Sequence, residues 1–417
     1  MTNKKRIFLK EVLNQIKSKE AKKFVSDELS HHLQEAKKGW QEKGLSEVEA
    51  EKKAIEGMGS PVKLGIQLNK LHRPKVDWWI ISLLGMALLV GFLPLFSLGY
   101  LESKYFVFTK VTFVLLGTMV AVGLMLVDYR KWQNRGWIFY TAGVLLLLTI
   151  RFLSNRMING VPRIEIGPLT IETLMAVPFF WLAWAGFFND EKFKVWQFIG
   201  LFLVPLFLFL SIPGMATAYV YTIMVFGMLG WSKFSRKIVI TIYSVITVSM
   251  VVFGILALKF SDPYQLQRLL AFLKPEDYSN GAGYTILRIK EFLLNAGWFG
   301  VSGAKQFIPE AHTNFVFVTF TYYYGWLFAI VLVALLSLFA ARIIFVMFQI
   351  KNSFGKRLLI GAVALYLAQL GTNVLMSLGV FPLVGVSLPF LSYGLMPTLL
   401  NAILMGVVLS VYRRKAF

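Results

Sequence analysis

The chain is 417 residues long, 57% hydrophobic and 15% aromatic, with only 16% charged residues, which is too apolar and too sparsely charged for a water-soluble domain of this length. Its net charge of +21 would suit a nucleic-acid binder, but beyond the N-terminal segment most Lys and Arg sit in short loops between apolar runs, so the excess reads as membrane topology and nucleic acid is excluded as a partner. The absence of cysteine removes disulfides and thiolate metal sites, and three of the four histidines (His31, His32, His72) share one polar N-terminal stretch, which argues against a zinc enzyme.

Residues 1–75 hold 17 Lys/Arg and 10 Asp/Glu, a large part of all the charge in under a fifth of the length. This segment reads as a separate soluble domain of three or four short helices. Ser46 and Glu49 are spaced as a capping box, Gly59 is a stop, and Ser60-Pro61 supplies an N-cap and a first helical position. The run from Gly44 to Pro61 is similar to the small helical prefix domain found ahead of several Gram-positive membrane proteins. Without an apolar h-region or a cleavage site, the segment is expected to stay in the cytoplasm.

From Trp78 onward, apolar runs long enough to cross a bilayer recur, each needing about 20 helical residues. Ten spans are expected, over 78–98, 106–127, 137–153, 171–188, 195–212, 214–231, 237–258, 315–347, 358–378 and 394–412. The fold class is therefore all-α, a polytopic membrane domain over 76–417 preceded by a helical prefix. Basic clusters at Arg130/Lys131/Arg135, Lys192/Lys194, Lys233/Arg236/Lys237, Lys351/Lys356/Arg357 and Arg413/Arg414/Lys415 all fall on one side if both termini are cytoplasmic. Adding or dropping one helix would put the later clusters outside.

That topology leaves one large external segment, 259–314, with little strand or helix periodicity. It holds Arg268, Lys274, Glu276, Asp277, Arg288, Lys290, Glu291, Lys305, Glu310 and His312. A loop of this length is usually functional, so chemistry is expected here.

Two stretches carry a family resemblance. Phe307-Ile-Pro-Glu-Ala-His-Thr-Asn-Phe-Val-Phe resembles a segment whose core reads L-P-E-x-H-T-D-F-x-F. The run from Asn373 to Gly394, with Pro382, Gly385, Pro389, Ser392 and Gly394, is similar to G-x-x-P-x-x-G-x-x-L-P-x-x-S-Y-G. Both belong to the SEDS family of bacterial cell-wall glycan polymerases, which includes FtsW, RodA and SpoVE. Weaker echoes lie at Asp128-Tyr-Arg and at Asn159-Gly160 with Arg163.

The resemblance implies a ten-helix peptidoglycan glycosyltransferase that polymerises lipid II at the outer face of the bacterial cytoplasmic membrane, in division, cell shape or sporulation. Its implied partner is a class B penicillin-binding transpeptidase. A sugar hydroxyl attacks an anomeric carbon and undecaprenyl diphosphate leaves, which calls for a base and for cations, or a divalent Mg or Mn ion, at the diphosphate. No metal ligands are assigned.

The family base is the aspartate of H-T-D, and this chain has Asn314 there. A carboxamide can orient a hydroxyl but not deprotonate it, and losing a general base costs about 10²- to 10⁴-fold in rate. Other polar positions drift too: Tyr322-Tyr323-Tyr324 replaces an acidic pair, the Q-P-S-E element is not recognisable after Gly167-Pro168, and P-D-x-G reads Pro213-Gly-Met-Ala.

Glu310 lies four residues before Asn314, and a helix starting at Pro309 would put the two on one face. It reads as a solvated acid or cap, a surrogate base, or a substrate or metal contact. Arg163, Arg268, Arg288 and Lys305 are candidate diphosphate ligands, or else cations that meet solvent, lipid or a structural turn. His312 is a structural hydrogen-bonder or a proton shuttle. Ser392 belongs to a broken, re-entrant element beside the substrate groove, with a purely architectural role as the alternative. Gly371 and Asn373 suit close helix packing. Two other functions compete with polymerase: a catalytically impaired scaffold or regulator of wall synthesis, and a lipid-precursor flippase. Few intramembrane charges apart from Lys110 support the last.

Overall fold

A computed structural model describes residues 3–72, 75–98, 103–158, 161–167, 169–212, 214–260, 270–281, 283–301 and 306–415. Arg268, Lys305, Asn159, Gly160, Pro168 and Pro213 lie outside them. Contacts divide the chain into two compact units, Met1–Asp77 with Tyr412–Phe417, and Trp78–Val411.

The first unit is built from α1 (Asn3–Asn14), α2 (Lys19–Gln41), α3 (Glu47–Gly57) and α4 (Pro61–His72). The Ser46 hydroxyl accepts from Glu49 N–H while the Glu49 carboxylate reaches back to Ser46, closing the capping box. Gly59 takes φ +73°, a left-handed turn that lets Pro61 open α4. Phe8, Val12, Ile16, Val25, Leu29 and Leu33 fill a small core of their own.

The second unit is a helical membrane domain. Its helices are α5 (Trp78–Val90), α6 (Leu93–Ser97), α7 (Ser103–Leu126), α8 (Gly136–Leu153), α9 (Val177–Phe187), α10 (Val195–Ser211), α11 (Met215–Leu229) and α12 (Arg236–Phe260). They continue with α13 (Tyr284–Asn295), α14 (Val316–Gln349), α15 (Ser353–Ser377) and α16 (Leu395–Arg413). All ten expected spans coincide with helix, the first being α5 and α6 together. α9 is apolar on every side and accordingly buried at every position but Phe179. Its Trp181 indole donates to Leu358 O, 3.1 Å away, and Gly361 on α15 leaves room for that ring.

Three features add to the expected plan. Between α8 and α9 the chain forms a small antiparallel sheet, β1 (Arg156–Ile158), β2 (Val161–Ile166) and β3 (Leu169–Ile171), in the order β1-β2-β3. The segment expected to lack periodicity contains α13, an amphipathic helix that buries Ile289, Phe292 and Leu293 against Ile308, Phe315, Val318 and Tyr322. Finally, α14 is broken at Gly325 (φ +89°, ψ 169°), so the expected single span 315–347 consists of two helices.

Candidate functional site

The polar residues singled out near the end of the large loop come together with the non-helical run Leu378–Gly394. That run joins α15 to α16 and dips into the bundle, where the Phe390 ring meets Phe339 and Tyr366. Phe390 holds φ +64°, an unfavourable conformation for a bulky side chain that the surrounding packing sustains. Non-helical backbone inside a membrane domain needs internal partners, and it finds them. Lys110, almost fully buried on α7, donates to Gly91 O and Leu391 O. Asn373, buried on α15, donates to Val386 O at 2.7 Å and to Asn314 O at 2.8 Å. Tyr393 N–H donates to His312 O at 2.7 Å.

Asn314 and Glu310 meet, but not through a helix. α14 begins only at Val316, and residues 309–315 form a turn in which Glu310 takes φ +47° while its carbonyl accepts from Thr313 N–H and Phe315 N–H. The expected helix start at Pro309 is therefore replaced by a left-handed turn. The result for the side chains is the same contact: Asn314 Nδ2 donates to Glu310 Oε2 at 2.5 Å. Glu310 is exposed and Asn314 half-buried, so the pair faces accessible space.

His312 is wedged edge-on between Phe106 and Tyr393, both ring centroids 5.4 Å away. Burial, then the nearby Lys110 ammonium, push its pKa below the usual imidazole value, with Glu310 opposing. Ser392 donates to Thr313 O at 2.6 Å and accepts from Leu388 N–H at 2.8 Å, so its hydroxyl fastens the re-entrant run to the 309–315 turn. Asn373, read from the sequence as a packing residue, is the clamp between these two segments. Its signal was an amide amid an apolar span, just before a Gly/Pro-rich stretch.

Of the candidate diphosphate ligands, the two among the described residues sit on different elements and each is paired with a carboxylate. Arg163, on β2, pairs with Glu172 at 2.9 Å. Arg288, on α13, pairs with Glu291 at 2.7 Å and lies over the Phe292 ring. Arg268 and Lys305 lie outside the described residues.

An apolar cleft, open to the outside, runs from Ser392 and Phe390 along α5, α7 and α16, past Leu84, Val114, Ala402 and Met405. Its polar groups are few, and among the described residues Asn401 Oδ1 finds no hydrogen-bond partner although it is buried.

A polar site at the mouth of an apolar cleft in a helical membrane domain agrees with what comparison finds: the FtsW/RodA/SpoVE family model, described as "Cell cycle protein", matches residues 75–416. The chain belongs to that family. Among its curated relatives, the "Probable peptidoglycan glycosyltransferase FtsW" of Coxiella burnetii is 28% identical over 362 residues, 80% of this chain and 95% of that one. The protein of the same name from Saccharophagus degradans is 24% identical over 330 residues, 75% and 84% of the two chains. In structure, the SEDS-type domain is similar to a chain of a solved peptidoglycan synthase complex, with a TM-score of 0.70, 24% identity and coverage of 82% and 98%. It is also similar to Thermus thermophilus rod shape determining protein RodA, with a TM-score of 0.60, 20% identity and coverage of 81% and 97%. At these identities the structural likenesses speak for the fold.

Proposed function

We propose that this chain is a SEDS-type peptidoglycan glycosyltransferase that polymerises lipid II at the outer face of the bacterial cytoplasmic membrane, using Glu310 as the base that position 314 lacks. The observation that carries this reading is the Asn314–Glu310 hydrogen bond, which delivers an exposed carboxylate to the residue at the family's catalytic position. The family membership and the names of the curated relatives support the reaction class.

In this mechanism the acceptor sugar hydroxyl is oriented by the Asn314 carboxamide and loses its proton to the Glu310 carboxylate. Its oxygen forms a bond to the anomeric carbon of a second lipid-linked disaccharide as the carbon–oxygen bond to undecaprenyl diphosphate breaks. The apolar cleft beside Ser392 suits the isoprenoid chain. With Arg163 and Arg288 each already paired to a carboxylate, charge on the leaving diphosphate calls for another cation. The remaining oxygens of Glu310 and Asn314 would be the donors for a Mg or Mn ion, which would supply positive charge to the leaving group. The N- and C-termini are cytoplasmic in this arrangement, and a class B penicillin-binding transpeptidase is the partner that cross-links the strands. The likeness to a chain of a peptidoglycan synthase complex supports that pairing.

Polymerisation of lipid II by the purified chain with Mg or Mn tests the reading. Strand synthesis by the native protein that drops by about 10²-fold or more in Glu310→Gln is the expected outcome. A folded native protein that makes no strands sinks it. The same result would favour the second reading, a scaffold that binds precursor without turnover, for which the neutral Asn314 and the self-paired Arg163 and Arg288 speak.

A further inference from the structure

The break in α14 is filled by backbone from the large loop. Trp326 N–H donates to Gly297 O at 3.1 Å, Leu327 N–H to Trp298 O at 3.2 Å, and Val301 N–H to Tyr322 O at 3.0 Å. The Trp326 indole adds a bond to Leu293 O at the end of α13. The two backbones run so close that a Cβ on Gly325 would stand 2.3 Å from Trp298 O, and one on Gly300 2.3 Å from Tyr323 O. Both glycines also hold left-handed φ values, +89° and +87°. The 297–301 tip is thus fixed to α14, not draped over it.

This rigid tip displays what a water-exposed loop would hide. Leu294 is 76% exposed, Trp298 66% and Phe299 84%. The position along α14 explains why. Residues 316–322 are buried on all sides, and outward-facing apolar side chains begin at Leu327 and continue through Ile330, Val331, Leu338, Phe345 and Phe348. That stripe is the lipid-facing side of a membrane helix. From Leu327 to Phe348 it measures about 32 Å at 1.5 Å per residue, the thickness of a hydrocarbon core of about 30 Å. The edge of the hydrocarbon therefore falls at Leu327, the residue that bonds to Trp298.

The geometry points to the Leu294–Trp298–Phe299 tip as a membrane-interface anchor: the three side chains insert among the lipid headgroups and upper acyl chains of the leaflet on the site's side. Trp favours that depth because its ring is apolar and its N–H polar, and Leu and Phe add the burial that holds an interfacial segment down. The occupant is lipid because the tip continues, through a backbone hydrogen bond, a surface that already faces lipid. Docked this way, α13 and the turn carrying Glu310 are held at headgroup height, where a lipid-linked substrate carries its polar group.

The chain's lack of cysteine makes a direct test possible. Single Phe299→Cys and Trp298→Cys proteins, reconstituted full-length in nanodiscs and spin-labelled, are compared with Leu338→Cys in the stripe and Glu276→Cys in the loop for collision with oxygen and with a water-soluble nickel chelate. An oxygen-to-nickel accessibility ratio at 298 and 299 shifted well away from the 276 label towards the 338 label is expected. Free access of the nickel chelate, as at 276, overturns the anchor in favour of an aqueous loop. Protection from both reagents overturns it in favour of a protein partner or a second copy of the chain.

Discussion

The Asn373 carboxamide nitrogen sits 2.8 Å from the backbone oxygen of Asn314 and, with its other hydrogen, holds Val386 O at 2.7 Å. One fully buried amide therefore sets the distance between the turn that carries the candidate base and the re-entrant run beside it. Asn373→Leu leaves two buried carbonyls without donors, at a cost of about 1–3 kcal/mol each. Asn373→Asp keeps the shape but turns a carboxylate oxygen towards both carbonyls. Thermal unfolding in detergent should rank native, then Leu, then Asp. An aspartate variant as stable as the native chain contradicts the clamp.

Asn314→Asp places a second carboxylate against Glu310. Two acids this close cannot both ionise easily, so one of them gains a raised pKa and the pair titrates as a unit. Polymerisation by Asn314→Asp is expected to exceed that of the native chain and to show an acidic limb displaced to higher pH. Combining it with Glu310→Gln should remove that displacement while leaving activity, because the aspartate then acts alone. Rate measurements across pH 5 to 8 read both effects.

His312 gives a second pH signature. Its folded-state pKa lies below the usual imidazole value of 6.5 through burial and Lys110, so the unfolded chain binds the extra proton first. Stability from this group is complete above the unfolded pKa and is lost as pH falls below it towards the folded one. The melting temperature should decline on acidification from neutral pH, and His312→Gln should flatten part of that decline. An unchanged slope in the variant would show that other groups set it.

Gly325→Ala adds a methyl group 2.3 Å from Trp298 O on a backbone at φ +89°. Strain and steric overlap together should cost more than about 2 kcal/mol. The loss should appear both as a lower unfolding temperature and as faster proteolysis of the 297–301 segment. Ala at Gly297, which has open space around its Cβ position, should cost less.

The spans could be read from the sequence because lipid demands long, uninterrupted apolar helices, and the capping box at Ser46 because it is a purely local device. What escaped was tertiary. Ile286, Ile289, Phe292 and Leu293 have helical spacing, yet a 12-residue amphipathic helix bearing Arg288, Lys290 and Glu291 looks polar beside transmembrane runs. The sheet at 156–171 falls largely between two expected spans, although alternation in Val161–Ile166 and the Asn-Gly pair before it are strand and hairpin signals. The break at Gly325 depends on backbone arriving from Trp298, 27 residues upstream, which no local pattern encodes. For the site, the four-residue spacing of Glu310 and Asn314 foretold their contact, although a left-handed turn produces it. The carboxylates that occupy Arg163 and Arg288 could not be foreseen without the fold.

The run Leu378–Gly394 is staked at several points: Leu391 by the Lys110 ammonium, Val386 by Asn373, Tyr393 by His312 O, and Ser392 to Thr313. Peeling it away would strip a buried ammonium of a partner along with the other three bonds, so this wall behaves as fixed masonry. On the proposed polymerase reading, a bulky, lipid-tethered substrate would enter from the bilayer side, between α5, α7 and α16 where the apolar cleft opens, and a growing strand would leave past the exposed Glu310. The fixed run would then stand between the cleft that takes the lipid tail and the turn that carries Glu310, tied to that turn through Ser392.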